Sequence, residues 1–255
     1  SNEQEISMIT SFDNGQIWDQ EIKTVSFRAG RRDGMPVPLL LEEEIIVAIE
    51  DNNVSTFKPY LVRTSLANNW KTFVDASSTN RTYALKEKLP DDIYAGAPYL
   101  VRIPPGEVIL SYQTTAHRSN NWELSTMEVA IGDKTGKNFE KRTKPFDVAL
   151  NKEAKWNALA LWDEHTICAA STTNFNSDHC EVWIIKGHII PELKALKGSP
   201  VHDGSVSKEE WGEHFPVFVG HKGPVNLNAS IRYDQSNLYL AINVKDLNIV
   251  TNPDN

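Results

Sequence analysis

Two carboxylates, Asp33 and Glu50, stand out as a candidate acid–base pair. Asp33 sits in the run Arg32-Asp33-Gly34, and Glu50 ends the apolar segment 45–49, which would hold its carboxyl partly out of water as a catalytic acid requires. Cleavage of a glycosidic bond generally uses two such groups, one donating a proton and the other acting as nucleophile or base. Tyr94 and Trp156 offer ring faces that complement the C–H faces of sugar rings. With Asn157, Arg32, Gln113, His117 and Arg118 they make up the candidate substrate-binding set. Plainer roles are open at the same positions. Glu50 also reads as a strand-end carboxylate paired to Arg63 or to a backbone amide, and Trp156 as a ring packed between sheets.

Other chemistries find little support. No serine or cysteine nucleophile motif and no phosphate-cradling glycine loop is present. The seven histidines lack metal-ligand spacing, with His214 and His221 on either side of residues 215–220 and His202 alone, so neither a metal nor a cofactor is expected. The net charge of −8 argues against a nucleic-acid partner. No apolar run approaches the roughly 18 residues of a membrane-spanning helix. Cys168 and Cys180 flank residues 171–179 at an offset that would keep the sulfurs apart, and both read as buried thiols in strands.

The elements that position these residues show as a repeat. Asp33-Gly34-Met35-Pro36 leads into an apolar strand, an acidic turn and a second apolar strand at 45–50. About 60 residues on, Ala95-Gly96-Ala97-Pro98 opens the same pattern, and Lys155-Trp156-Asn157-Ala158 opens it a third time. Each unit continues into more polar outer strands, at 59–64 with 81–85, at 125–132 with 141–148, and at 181–185. Four strands in about 60 residues fit a propeller blade, whose first strand lines an axial funnel. Asp33, Glu50, Tyr94, residues 113–118 and Trp156-Asn157 all fall at that funnel.

Ser11-Phe12-Asp13-Asn14-Gly15-Gln16-Ile17-Trp18 reads S-x-D-x-G-x-x-W, the Asp-box (BNR) turn. Gly15 supplies a positive φ, Asp13 and Ser11 bond back onto the turn, and Trp18 is expected to cap the neighbouring core. Weaker copies fall at 65–70 and 132–139.

With box and repeat together, residues 1–188 resemble the sialidase-like β-propeller superfamily. Arg32-Asp33-Gly34-Met35-Pro36 and the strand ending Ala48-Ile49-Glu50 resemble glycoside hydrolase family 93. Asp203-Gly204, Trp211 and Tyr233-Asp234 before Asn237-Leu238-Tyr239-Leu240 are similar to the amino-terminal half of a family 9-like carbohydrate-binding module.

The expectation is therefore an all-β chain: a partial propeller of about three four-stranded blades at 1–188, a linker at 189–201, and a partial β-sandwich at 202–255. Propellers close with four or more blades, so the missing ones are expected from a longer chain or from another chain. The resemblance implies a secreted or periplasmic exo-acting glycoside hydrolase with a carbohydrate substrate, Glu50 matching a catalytic glutamate. The second catalytic glutamate is expected one blade on, where Gln113 or His117 stands, with Glu123 nearby as a substitute. That departure keeps a non-catalytic glycan-binding propeller open, and a protein-interaction propeller after it. A sialidase would also need an arginine trio and a Tyr–Glu pair, of which Arg32, Arg118 and Tyr94 imitate only parts.

Overall fold

Short apolar runs bounded by Gly, Pro, Asn and Asp fold as antiparallel strands, because side chains that alternate across an extended backbone let each sheet bury both faces in turn. The computed structural model describes residues 3–52, 58–68, 70, 73, 81–85, 88–104, 106–164, 166–174, 177–188, 196–201, 205, 207–211, 215–217 and 226–245. The chain divides into two compact units, residues 1–188 and 189–255.

In the first unit, β1 (Ile6–Met8) and β2 (Lys23–Ser26) pair as a two-stranded sheet. Three larger antiparallel sheets follow. The first holds β3 (Asp33–Leu40), β4 (Glu44–Asp51), β5 (Tyr60–Ser65) and β6 (Thr82–Tyr83). The second holds β7 (Ala95–Arg102), β8 (Val108–Thr114), β9 (Thr126–Ile131) and β10 (Glu140–Thr143). The third holds, among the described residues, the three strands β11 (Lys155–Asp163), β12 (Thr166–Thr173) and β13 (Glu181–His188). Strand order within each follows chain order, and β7 lies against both β3 and β11. This all-β arrangement is consistent with a partial propeller.

The repeat is carried by a bulge. Pairing of the first two strands slips after Gly34↔Glu50, after Gly96↔Gln113 and after Lys155↔Thr172. The next residue in each first strand, Met35, Ala97 and Trp156, has a positive φ of 51°, 45° and 54°. Glu50, Gln113 and Thr172 are therefore equivalent positions, and alternation then assigns the faces of every second strand. β4 sends Ile46, Ala48 and Glu50 toward the second sheet, and Val47 and Ile49 toward β1–β2. The core between the first two sheets is Ile46, Ala48 and Leu61 against Leu100, Val108, Leu110 and Tyr112. Val47, Ile49, Tyr60 and Val62 pack under Val25, Ile6 and Met8.

Turn chemistry at 11–18 matches expectation. Asp13 Oδ1 accepts from the amides of Gln16 and Ile17 and from Ser11 Oγ, Ser11 Oγ accepts from the Gly15 amide, and Gly15 has φ 82°. Trp18 departs from it. Its ring lies by the turn but is about half exposed, and Phe12 and Ile17 are more exposed still, since the turn is closed by side-chain-to-backbone hydrogen bonds that need no cover from the ring. The turn at 132–139 copies the pattern, with Asp133 Oδ1 taking the Thr135 and Lys137 amides and Phe139 buried. Cys168 and Cys180 are both free, as their offset implied. Cys180, however, is exposed just ahead of β13, and Cys168 is half-buried in β12.

The second unit holds one four-stranded sheet among its described residues: β14 (Leu196–Lys197), β15 (Phe215–Val217), β16 (Asn226–Tyr233) and β17 (Leu238–Lys245). A short helix, α1 (Lys208–Trp211), precedes β15. β16 and β17 form the expected hairpin, its turn closed by Asp234 Oδ1 accepting from the amides of Ser236 and Asn237. Leu196 and Lys197, expected in a linker, instead pair in parallel with the end of β16. His202, Asp203, Gly204, His214 and His221 lie outside the described residues.

Leu61 is fully buried between the first and second sheets. Leu61→Ala should lower unfolding free energy by about 2–5 kcal/mol, read as a shift of the urea midpoint.

Candidate functional site

The bulge places the first cluster. Glu50 is 5% exposed and accepts at both oxygens: from the Tyr94 hydroxyl at 2.9 Å and from the Ala97 amide at 2.7 Å. Ala97 is the left-handed residue that opens the second sheet. Gln113 repeats the arrangement one sheet on, its Oε1 accepting from the Trp156 amide at 3.0 Å. Its Nε2 donates to the Tyr94 hydroxyl at 3.0 Å, so Tyr94 joins the two side chains. The backbone of Tyr94 is held in turn by Thr114 and Thr115. Burial, reinforced by the charge of Glu50, pushes the Tyr94 phenol well above its ordinary range, so it keeps its proton and donates it. Gly96 is required here by close approach, since a Cβ would stand 2.8 Å from Glu50 Cδ and closer still to the Tyr94 ring.

Both oxygens of Glu50 are thus held by donors from the second sheet.

Asp33 belongs to a second cluster. It pairs across the strands with Asp51, so these two share one face of the sheet and Glu50 takes the other. The structure thus separates Asp33 from Glu50 and joins it to Asp51. Both aspartates bind the Arg28 guanidinium, Asp33 through Nε at 3.1 Å and through Nη2, Asp51 through Nη1 at 3.1 Å and Nη2 at 3.0 Å. Ser26 Oγ donates to Asp33, and Tyr83 Oη bridges Arg28 and Asp51. The Arg28 and Arg81 guanidiniums lie 4.7 and 4.2 Å from the Tyr60 ring centroid. Burial opposes ionisation of Asp33, but hydrogen bonds from Arg28, Tyr60 and Ser26 outweigh it and hold the carboxyl below its ordinary range. Arg28, Arg81, Tyr60 and Tyr83 carried no signal in the sequence; the fold gathers them from the segment between β2 and β3, from β5 and from the start of β6.

The remaining candidates separate. Arg32, expected beside Asp33 in the site, is exposed, and the guanidinium on Asp33 is that of Arg28. His117 is exposed with φ 61°, and is not the residue equivalent to Glu50. Arg118 is buried and binds the carbonyls of Val148 and Ala149, so it braces a loop. Asn157 donates to the Ala97 carbonyl at 2.9 Å and ties the third sheet to the second. Trp156 is half-buried with its ring 6.3 Å from Trp122, edge to face, and Lys155 lies over Trp122. Glu123 pairs with Lys155 at 3.2 Å. Arg63 binds Glu44 and the Gly136 carbonyl rather than Glu50.

No family model matches the chain, and no curated protein matches it. Solved structures do. A Dyadobacter fermentans protein of unknown function superposes with a TM-score of 0.50 at 11% identity, over 68% of this chain and 43% of that one. The likeness is one of fold. A Trypanosoma rangeli sialidase follows at TM-score 0.49 and 13% identity, over 71% of this chain and 27% of that one. The α-L-arabinofuranosidase Arb93A of Fusarium graminearum aligns over 96% of this chain and 68% of its own, at TM-score 0.44 and 13% identity. The chain spans less than half the length of the first two.

Three outcomes follow from the clusters. The depressed carboxyl of Asp33 stabilises the fold above its ordinary pKa of 3.8, and that stability is lost as pH falls through the lower folded value. Urea midpoints measured against pH should therefore drop below about pH 4. Asp33→Asn should flatten that drop while lowering stability at pH 7 by about 1–3 kcal/mol, because Arg28 keeps Asp51 but loses its charged acceptors on Asp33. Gly96→Ala should destabilise by about 1–3 kcal/mol through overpacking against Tyr94 and Glu50, read by thermal unfolding.

Proposed function

We propose that the first unit is part of an exo-acting glycoside hydrolase acting on a poly- or oligosaccharide, with Glu50 as its reacting carboxylate. The observation that carries this reading is the hydrogen bond from Tyr94 to Glu50 at the corner where the first strands of adjacent sheets meet. There Glu50 takes up a proton from a water as that water attacks the anomeric carbon and the bond to the leaving oxygen breaks, while Tyr94 keeps its proton and holds Glu50 in place. Gln113 orients Tyr94, and Trp122 and Trp156 supply ring faces for the sugar. The proton for the leaving oxygen comes from an acid other than Asp33, which Arg28 holds ionised on the opposite face. The second unit is read as the beginning of a carbohydrate-binding module and the protein as secreted or periplasmic, on the resemblance of Trp211, Tyr233-Asp234 and residues 237–240.

A second reading, a glycan-binding propeller without catalysis, has an observation of its own. Gln113 fills the position equivalent to Glu50 and makes the same bond to the next sheet, so an amide suffices for the structural role.

That equivalence makes Glu50→Gln a clean test, because an amide already performs the bond to a left-handed amide once in this fold. Sugar release from arabinan and sialoside panels should fall about a thousandfold while the circular dichroism spectrum and urea midpoint stay near those of the parent. Full activity in this variant would leave Glu50 a structural residue. A parent that binds glycans without releasing sugar would favour the second reading.

A further inference from the structure

The loop that leaves β8, the start of β9 and the segment between β10 and β11 line a cavity of about 590 Å³. That size falls in the range of small-molecule sites. Glu50, Tyr94, Gln113, Trp122 and Trp156 are all outside its lining, so it is separate from the corner at Glu50.

The polar groups of this cavity are poorly satisfied by the protein itself. Thr126 is 3% exposed, yet its Oγ1 has no hydrogen-bond partner among the described residues. A buried hydroxyl left in that state costs about 1–3 kcal/mol. Arg118 is buried as well, and its Nη1 and Nη2 donate to the carbonyls of Ala149 and Val148. Carbonyls satisfy its hydrogens but carry no balancing charge, and a buried cation calls for one. Lys144 adds a second cation to the lining, and Asp147 is its one carboxylate, both exposed. The balance is therefore positive. Leu150, 77% exposed, gives the same cavity an apolar edge.

We propose that this cavity is a second saccharide-binding site, apart from the Glu50 corner, which takes a sugar unit bearing a carboxylate. The acid balances Lys144 and Arg118, a sugar hydroxyl bonds the unused Oγ1 of Thr126, and another donates to Asp147. Leu150 lies under the C–H face of the ring. That the ligand is a saccharide rests on the reading of the first unit as a glycan-acting protein. That it is an anion rests on the cavity alone.

Calorimetric titration of the 255-residue chain with trigalacturonate, 3′-sialyllactose and neutral arabinotriose tests the proposal. At least one of the two acids should bind, the tighter identifying the acid as a uronate or a sialate. Lys144→Glu should weaken that binding about tenfold or more, and Thr126→Val by a similar factor. Neither variant should lower the urea midpoint, since Lys144 is exposed and Thr126 Oγ1 gives up no bond within the protein. Affinity for arabinotriose should be unaltered in both. Glu50→Gln should leave binding of the acid unaltered, which separates this site from the reaction assigned to Glu50. A chain that releases no sugar yet binds the acid through Lys144 and Thr126 would count against that reaction and for the cavity. Failure of both acids to bind, binding indifferent to both cavity variants, or binding lost with Glu50→Gln would overturn the proposal. A tetraglutamate peptide bound as tightly as the better sugar acid would overturn it too, in favour of a peptide site.

Discussion

A bulged strand that begins with a left-handed residue is the constraint on which this structure rests. Outside glycine, that conformation costs about 1–2 kcal/mol, and a bulge leaves the residue outside its own ladder. At Ala97 and Trp156 the amide is instead claimed by the preceding sheet, by Glu50 in one case and by Gln113 in the other. Those two bonds fix how each sheet sits on the next. Tyr94, bonded to both acceptors, links the two junctions. The apolar cores between sheets contribute most of the free energy, at about 1.5–3 kcal/mol per buried aliphatic side chain. They tolerate sliding, whereas a hydrogen bond to one amide does not, so the polar bonds set the register in which the cores pack.

The same bonds bring chemistry and architecture into competition at Glu50. A carboxylate is costly to bury unless it is well supplied with donors, and Glu50 has one at each oxygen. Gln113 meets the identical backbone demand without charge. The extra reactivity of a carboxylate at position 50 is thus more than the junction needs, which makes it the residue of interest in the first unit. Asp33 and Asp51 show the other outcome. With Arg28 between them and Tyr83 and Ser26 filling the remaining positions, they form a closed ion cluster whose breaking is destabilising.

Much of the fold was legible along the chain. The three openings, at Asp33-Gly34, Ala95-Gly96 and Lys155-Trp156, each begin a first strand, and the turns at 11–18 and 132–139 close through Asp13 and Asp133. The candidate site was legible only in part. Glu50, Tyr94, Gln113, Trp156 and Asn157 do meet at the junctions, since their positions follow from the repeat. Arg32 and Arg118 do not, because a loop arginine is aimed by whichever carboxylate or carbonyl folding brings near it. Trp18 was expected to be covered by a neighbouring core, but its ring is about half exposed beside its own turn.

Local spacing determined the strands, their turns and the period of the repeat, because these depend on backbone preferences and on alternation within a few residues. It also marked which positions recur, and so which side chains would stand at the sheet corners. Which of those side chains meet was decided by tertiary structure alone. The one-residue slip at each bulge sends Asp33 and Glu50 to opposite faces, pairs Asp33 with Asp51 around Arg28, and delivers Glu50 to Tyr94 of the next sheet. Facing is a parity, and a single inserted residue reverses it.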